Sequence, residues 1–366
     1  MKRLFTPRNL LIIVVLLAVL IGGTMLFPVA LPTILLPAEG LFYIGSFHVT
    51  NTLVATLLAD VTILLIAFLV TRRLKDTPSG LQNLIEWFIE SFKGLSEDVA
   101  GKVNSKRWFP IFITILIFLL VANWWELVPG FDSIGIIEPL EVATEHTNGT
   151  VRTGYGLTTV LGMPSLDRAQ TVSLTEEQVQ EILAEANAHE GEATAQEGEA
   201  TAESHTSKYG AYVLKPFLRA AATDLNLTIA LALIAVVLVQ IEGVRALGGS
   251  YFRKFFLPKI PGLGGAMGIL IGGFVGILEL ISEFAKIISF SFRLFGNIFA
   301  GQILLFVMPF LVTFLLVVPF LGLELFVGFM QAFVFAILTL IFLASAVVSH
   351  EGHDDHGHEH AAEASH

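Results

Sequence analysis

The sequence predicts an all-α polytopic membrane protein, and three observations carry that prediction. Of 366 residues, 54% are hydrophobic and only 14% are charged, and the mean hydropathy is +0.74. Soluble proteins average about 25% charged residues. Apolar runs long enough to cross a hydrocarbon core of about 30 Å alternate with short basic segments. Charged side chains also recur at helical spacing inside the apolar C-terminal third. The chain has no cysteine. That excludes disulfides, thiolate catalysis, Cys-type zinc sites and iron–sulfur clusters.

The net charge of −11 is localised rather than global. Residues 131–210 hold fourteen acids against three bases, Arg152, Arg168 and Lys208. The tail 349–366 holds five acids and no base. The rest of the chain is mildly basic. Acidic appendages of this kind argue against nucleic-acid binding.

The elements follow in order. Residues 9–27 form an apolar run behind Lys2, Arg3 and Arg8, either a retained signal-anchor or a signal peptide. With its outer linker it makes an N-terminal region, 1–45. The second run, about 50–71, ends in Arg72, Arg73 and Lys75. In 80–107, Leu81, Leu84, Ile85, Phe88, Ile89, Phe92 and Leu95 recur at helical spacing with charges between them. That pattern predicts an amphipathic helix on the membrane surface. The third run, 108–128, closes on Trp124, Trp125 and Pro129, the two indoles serving as interfacial anchors.

Residues 131–215 contain no spanning stretch and form an acidic, partly disordered loop after the 46–130 region. One short helix is expected near Thr175–Ala186, capped by Thr175 with Glu176 and Glu177 in its first turn. A low-complexity repeat follows, GEATA at 191–195 and again at 198–202. The region 216–348 begins with a fourth run, about 223–243, followed by Arg245, Arg253 and Lys254. From Gly262 to Val348 the chain is almost continuously apolar, enough for two to four crossings. Lysine and arginine placement sets 2–8, 72–75, 102–107 and 245–254 in the cytoplasm and the acidic loop outside. An even number of later crossings returns the 349–366 tail to the cytoplasm. Its His350, His353, His356, His358 and His360 read as a solvated tract able to bind metal loosely.

Ionisable groups inside a membrane are costly and point to function. Glu279, Ser282, Glu283, Lys286, Ser289, Arg293 and Asn297 draw one polar stripe along a helix, running about 21 Å from Glu279 to Arg293. Ile, Leu, Phe and Val occupy the other faces, so a soluble charged surface does not explain it. An interhelical ion pair or an ion pathway does. Arg293 cannot discharge by losing a proton, so it needs a carboxylate or water nearby. Glu324 and Gln331 are seven apart and share a helix face, and Gln302 lies nine after Arg293. A buried Glu324 near Arg293 would suit proton handling. Gly264, Gly268, Gly272 and Gly276 make a small-residue ladder for helix packing. Asp60 sits mid-run, either a structural acid or a path residue. Asn123, Glu126, Asp224 and Asn226 lie at helix ends, where capping competes with a role at a channel mouth. No P-loop, zinc-protease motif, nucleophile elbow or kinase set occurs. No cofactor is expected.

SFRLFGNIFAGQ at 291–302 resembles the signature of the ATP synthase subunit a family, the stator channel subunits of rotary ATP synthases. LIEWFIESFKG, FPIFITILIFLLVANWWELVPG, ATDLNLTIALAL and MQAFVFAILTLIFL resemble further segments of that family. The likeness covers about 45–130 and 216–348 and leaves out 9–27 and the long acidic loop. Gln302 departs from members that carry Glu there, some of which pair it with His at the position of Glu324.

The resemblance implies that the last two transmembrane helices are long and tilted around a ring of c subunits, with Arg293 facing the ring carboxylates, which with the four runs makes about six transmembrane helices. It implies one proton half-channel lined by Asn297, Gln302, Glu324 and Gln331 and another near Glu279, Ser282 and Ser289. Asp60, Glu126, Asp224 and Asn226 are further candidates for path or mouth. The partners it implies are the c-ring, the b-subunit peripheral stalk, other ATP synthase subunits and the lipid bilayer. The place is the cell membrane, and the subunit has no catalytic site of its own. A sodium-translocating version is the nearest alternative. A proton-coupled transporter should show repeated halves, and none is seen. An intramembrane enzyme would need a nucleophile–base or metal set, and the histidines cluster in the tail. A structural anchor would leave Arg293 unexplained.

Overall fold

The computed structural model of the protein describes residues 38–347, save 46, 73, 161–162, 193–206, 253–254, 256–264 and 312–313. The first apolar run, nearly all of the GEATA repeat and the His-rich tail lie outside the described residues. So do Gly264 and the surroundings of Gly268.

A short antiparallel hairpin, β1 (Gly40–Ile44) and β2 (Phe47–Thr50), leads without a linker into α1 (Asn51–Thr71). The Thr50 hydroxyl accepts from the Leu53 amide at 3.3 Å, meeting one of the orphan donors of the first turn. α2 (Leu81–Trp125) is broken at Gly101, where φ is 73° and ψ 155°. Glycine reaches that region at little cost. The chain folds back at the break: Ser96 Oγ and Ser105 Oγ lie 2.9 Å apart, and the Phe92 and Phe112 rings 6.2 Å apart. On a straight helix those two phenylalanines would be about 30 Å apart. The amphipathic arm therefore ends at Gly101, short of the 107 expected for it. Lys102–Arg107 begin the spanning arm.

The acidic segment carries more regular structure than the single helix expected. β3 (Gly135–Pro139), β4 (Thr153–Val160), β5 (Met163–Ser173) and β6 (Tyr212–Pro216) form an antiparallel sheet in the order β3-β6-β4-β5. α3 (Leu140–His146) and α4 (Glu176–Glu192) pack on it around Leu140, Val151, Val179, Ile182 and Val213. Thr175 caps α4 as expected. Its amide donates to Gln178 Oε1 at 2.8 Å, while its hydroxyl accepts from the Gln178 amide at 3.4 Å.

α5 (Leu225–Leu247) starts at Asp224, whose carboxylate accepts from the Asn226 amide at 2.9 Å. The apolar C-terminal third forms two helices, α6 (Gly265–Leu311) and α7 (Phe314–Ala346). α6 has 47 residues. At 1.5 Å per residue it is about 70 Å long, more than twice a bilayer core, so it must tilt or bend within a membrane. Gly272 and Gly276 of the small-residue ladder are buried. By length and composition α1, α2, α5 and the Val317–Ala346 part of α7 can each cross a membrane.

The described chain falls into two compact units. The first takes residues up to Leu57, Asn123–Thr223 and Ile298–Val327. The second takes Leu58–Ala122, Asp224–Asn297 and the residues from Gly328 on. Within the second unit α5 runs antiparallel to α6: Ser291 donates to the Thr228 carbonyl at 3.4 Å, and Gln240 donates to Glu283 at 2.8 Å. α7 runs antiparallel to α6 too, with the Phe290 ring 4.9 Å from that of Phe335, tilted, and 5.5 Å from that of Phe342, edge-on.

Candidate functional site

Each unit holds one cluster of buried ionisable groups. In the first unit, the chain leaves α2 through tight turns: Leu127 and Val128 amides donate to the Trp124 and Trp125 carbonyls at 3.2 and 3.1 Å. Gly130, at φ 92°, and the stacking of Phe131 on Trp125 turn the chain again. Glu126 and Asp132 are carried inward by these turns. Gln302 of α6 donates to Asp132 Oδ2 at 3.3 Å. Glu324 of α7 lies against α6 at Gly301, where a Cβ would stand 2.1 Å from its Oε2. The Trp124 indole N–H donates to the Leu325 carbonyl at 3.1 Å and fixes that stretch of α7.

The cluster has more acid than base. Arg219, itself buried, attracts Glu39, Glu126 and Asp132. Both carboxylate oxygens of Glu126, Oδ1 of Asp132 and Oε1 of Glu324 are buried without a hydrogen-bond donor among the described residues. Such oxygens cost free energy unless they meet water or carry a proton. Burial raises the Asp132 carboxyl to about 6, against the opposing pull of the Gln302 hydrogen bond and the Arg219 charge. An acid in that range exchanges protons near neutrality.

In the second unit the carboxylates are matched. Glu242 of α5 is buried and accepts from Arg107 at 2.8 Å, Arg245 at 3.0 Å and the Trp108 indole at 3.2 Å. It ties the start of α2's spanning arm to the end of α5. Glu283 accepts from Lys286 at 2.9 Å and from Gln240 at 2.8 Å. The Tyr251 hydroxyl donates to Gln240 Oε1 at 2.7 Å, its ring lying on α5 at Gly243, where a Cβ would be 2.3 Å away. Arg293 of α6 is half-buried and donates to Ser289 at 3.2 Å. Ser282, Ser289 and Asn297, which share its face of α6 by helical spacing, are exposed among the described residues.

The family described as ATP synthase A chain matches residues 52–344, most of the chain and both clusters apart from Glu39. The chain belongs to the ATP synthase A chain family. ATP synthase subunit a of Moorella thermoacetica is 26% identical over 315 residues, which is 86% of this chain and 98% of that protein. The Nitratiruptor subunit a is 25% identical over 317 residues, 86% and 98% of the two chains. The Gloeobacter violaceus subunit a is 27% identical over 312 residues, 85% and 86%. A subunit a sits in the membrane sector and works with other ATP synthase subunits. Membership places this chain in a membrane and in ATP synthesis and ion transport.

The sequence-derived residues distribute unevenly in this chain. Gln302, Glu324 and Glu126 come together in the first cluster. The polar stripe of α6 splits: Glu283 turns inward to Gln240, whereas Ser282, Ser289 and Asn297 are exposed and Glu279 is half-buried. Gln331 is half-buried on α7, and Asp60 and Asn226 are exposed. Asp224 is a helix cap. Sequence reasoning passed over Asp132, which opens the acidic loop, and Arg219, which reads as a basic flank. It also passed over Glu39, Glu242 and Gly301. The signal for Asp132 was its place just past the Trp124–Pro129 helix end. Gly301 stood within the SFRLFGNIFAGQ motif, where no role was given to it.

Proposed function

We propose that this subunit a forms two proton half-channels and, with a ring of c subunits, couples proton flow to rotation for ATP synthesis. The observation that carries this is the buried carboxylates of the first cluster, with oxygens that no donor meets among the described residues. Protons from outside are taken up through Asn297, Gln302, Glu324 and Gln331, with Glu126 at the mouth. They neutralise a ring carboxylate, which then tolerates lipid. They leave toward the cytoplasm near Glu279, Ser282 and Ser289. Arg293 favours the ionised ring carboxylate by Coulomb attraction and blocks leakage between the two paths. Each charge crossing 100 mV yields about 2.3 kcal/mol, so several protons are needed per ATP.

The exposed Ser282, Ser289 and Asn297 on the Arg293 face of α6 support a ring partner there, and a b-subunit stalk completes the stator. The chain lies in the cell membrane with residues 131–215 outside and the tail in the cytoplasm. The Glu242 clamp is consistent with that orientation, since it joins two helix ends whose flanking segments are basic. Replacement Arg293→Ala abolishes ATP-driven proton pumping in inverted vesicles under this proposal; retained pumping would remove Arg293 from it.

A further inference from the structure

The first cluster extends beyond the residues matched by the family. Glu39 precedes the 52–344 match and stands just ahead of the β1–β2 hairpin. Its side chain is not left to solvent. Asn51, fully buried at the start of α1, donates from Nδ2 to Glu39 Oε2 at 3.3 Å and to the Pro216 carbonyl at 3.4 Å. The Asn51 amide also donates to the Glu39 carbonyl at 3.0 Å. One asparagine thus pins Glu39 to both α1 and the end of β6.

The charged groups facing Glu39 are Arg219, Lys215 and Glu138. Lys215 and Glu138 neutralise each other across β3 and β6 at 3.0 Å. That leaves Arg219, which also attracts Glu126 and Asp132, as the common cation of three acids. One guanidinium cannot hold three ionised carboxylates in a buried space without cost, so protons must occupy part of the set. Glu126 is an independent sign of this. It is more than nine-tenths buried, neither of its oxygens has a donor among the described residues, and it also feels Glu324.

We propose that Glu39 is the outermost proton-exchanging carboxylate of the uptake path, sharing Arg219 with Asp132 and Glu126. A proton from external water binds the Glu39 carboxylate and passes, through water, to Asp132 or Glu126 and on to Glu324. Each transfer leaves the donor ionised and ready for the next proton, so charge and protons balance at every step. Burial raises the Glu39 carboxyl to about 7, against the pull of Arg219 and Lys215, which poises it for exchange at neutral pH. The inference rests on the proton-channel proposal above.

The test uses the whole ATP synthase in membrane vesicles, stripped of its catalytic sector, with passive proton flux followed against pH on the uptake side. Glu39→Gln lowers flux by roughly tenfold and removes the component of the pH profile centred near pH 7, whereas Glu39→Asp restores flux. Glu324→Gln is the control for the channel itself. Parent-like flux and pH profile in Glu39→Gln, with flux lost in Glu324→Gln, overturns the role of Glu39 alone. Parent-like flux in both variants overturns the channel proposal. If Glu39→Gln does not assemble, Glu39→Cys in this cysteine-free chain gives a second measurement. A membrane-impermeant thiol reagent applied from the uptake side then blocks flux, and flux untouched by full labelling overturns the inference.

Discussion

The two clusters use the same residue types to opposite ends. In the first unit Glu39, Glu126 and Asp132 share the cation Arg219, and oxygens of Glu126, Asp132 and Glu324 meet no donor among the described residues. In the second unit Glu242 has two arginines and an indole, and Glu283 has a lysine and an amide. A buried carboxylate with a full set of donors stays ionised and fixes geometry. One without them must trade between proton and water. The difference separates a framework that holds α2, α5 and α6 in place from a set of groups able to pass protons.

The comparison can be broken at several points, the largest effect first. Gly301→Ala adds a methyl where the Glu324 carboxylate now lies, 2.1 Å from its Oε2. The carboxylate must move, and proton flux falls by about tenfold while the complex still assembles. Flux equal to the parent's would mean that the position of Glu324 on α6 is unimportant.

Glu242→Ala strips the clamp. Arg107 and Arg245 are half exposed and can reach water, so the cost is about 2 kcal/mol, read as a lower unfolding temperature of the detergent-solubilised complex. An unchanged temperature would remove Glu242 from the framework.

Asp132 gives a pH-dependent test. Its carboxyl binds a proton more readily folded, at about 6, than at the ordinary 3.8. It therefore favours folding most below pH 3.8, and that contribution is lost as pH rises to about 6. Above that range Asp132→Asn stabilises the subunit, by up to about 2 kcal/mol, and the gain shrinks as pH is lowered. A gain that does not vary with pH would contradict the assigned burial of its charge.

Much of this was legible beforehand, for physical reasons tied to particular residues. The Thr175 cap and the Asp224 helix end follow from local capping chemistry, which acts over a few residues; the division of the apolar C-terminal third into two long helices follows only from the family resemblance, since its hydrophobic run alone allows two to four crossings. The turn at Gly101 was hidden because polar residues run on both sides of it, from Ser96 to Arg107, and mark no boundary. One positive-φ glycine redirects the chain there. The sheet at 135–216 was hidden because its strands are short and its pairing, such as Ile137 with Leu214, joins residues far apart in sequence. The roles of Asp132 and Arg219 share that cause. Each is ordinary in its local context and becomes distinctive only when folding gathers them with Glu126 and Gln302. Arg293 stood out because a permanent cation within an apolar helix is costly wherever the rest of the chain goes.

The central claim is that unmatched carboxylates carry protons and matched ones do not. Passive proton flux in stripped vesicles, measured side by side for Glu324→Gln and Glu283→Gln, tests it most directly. Glu283→Gln keeps an acceptor for Gln240 and should leave flux close to the parent's. Glu324→Gln should reduce it by about tenfold or more. Equal flux in the two variants, or a greater loss in Glu283→Gln, would contradict the account.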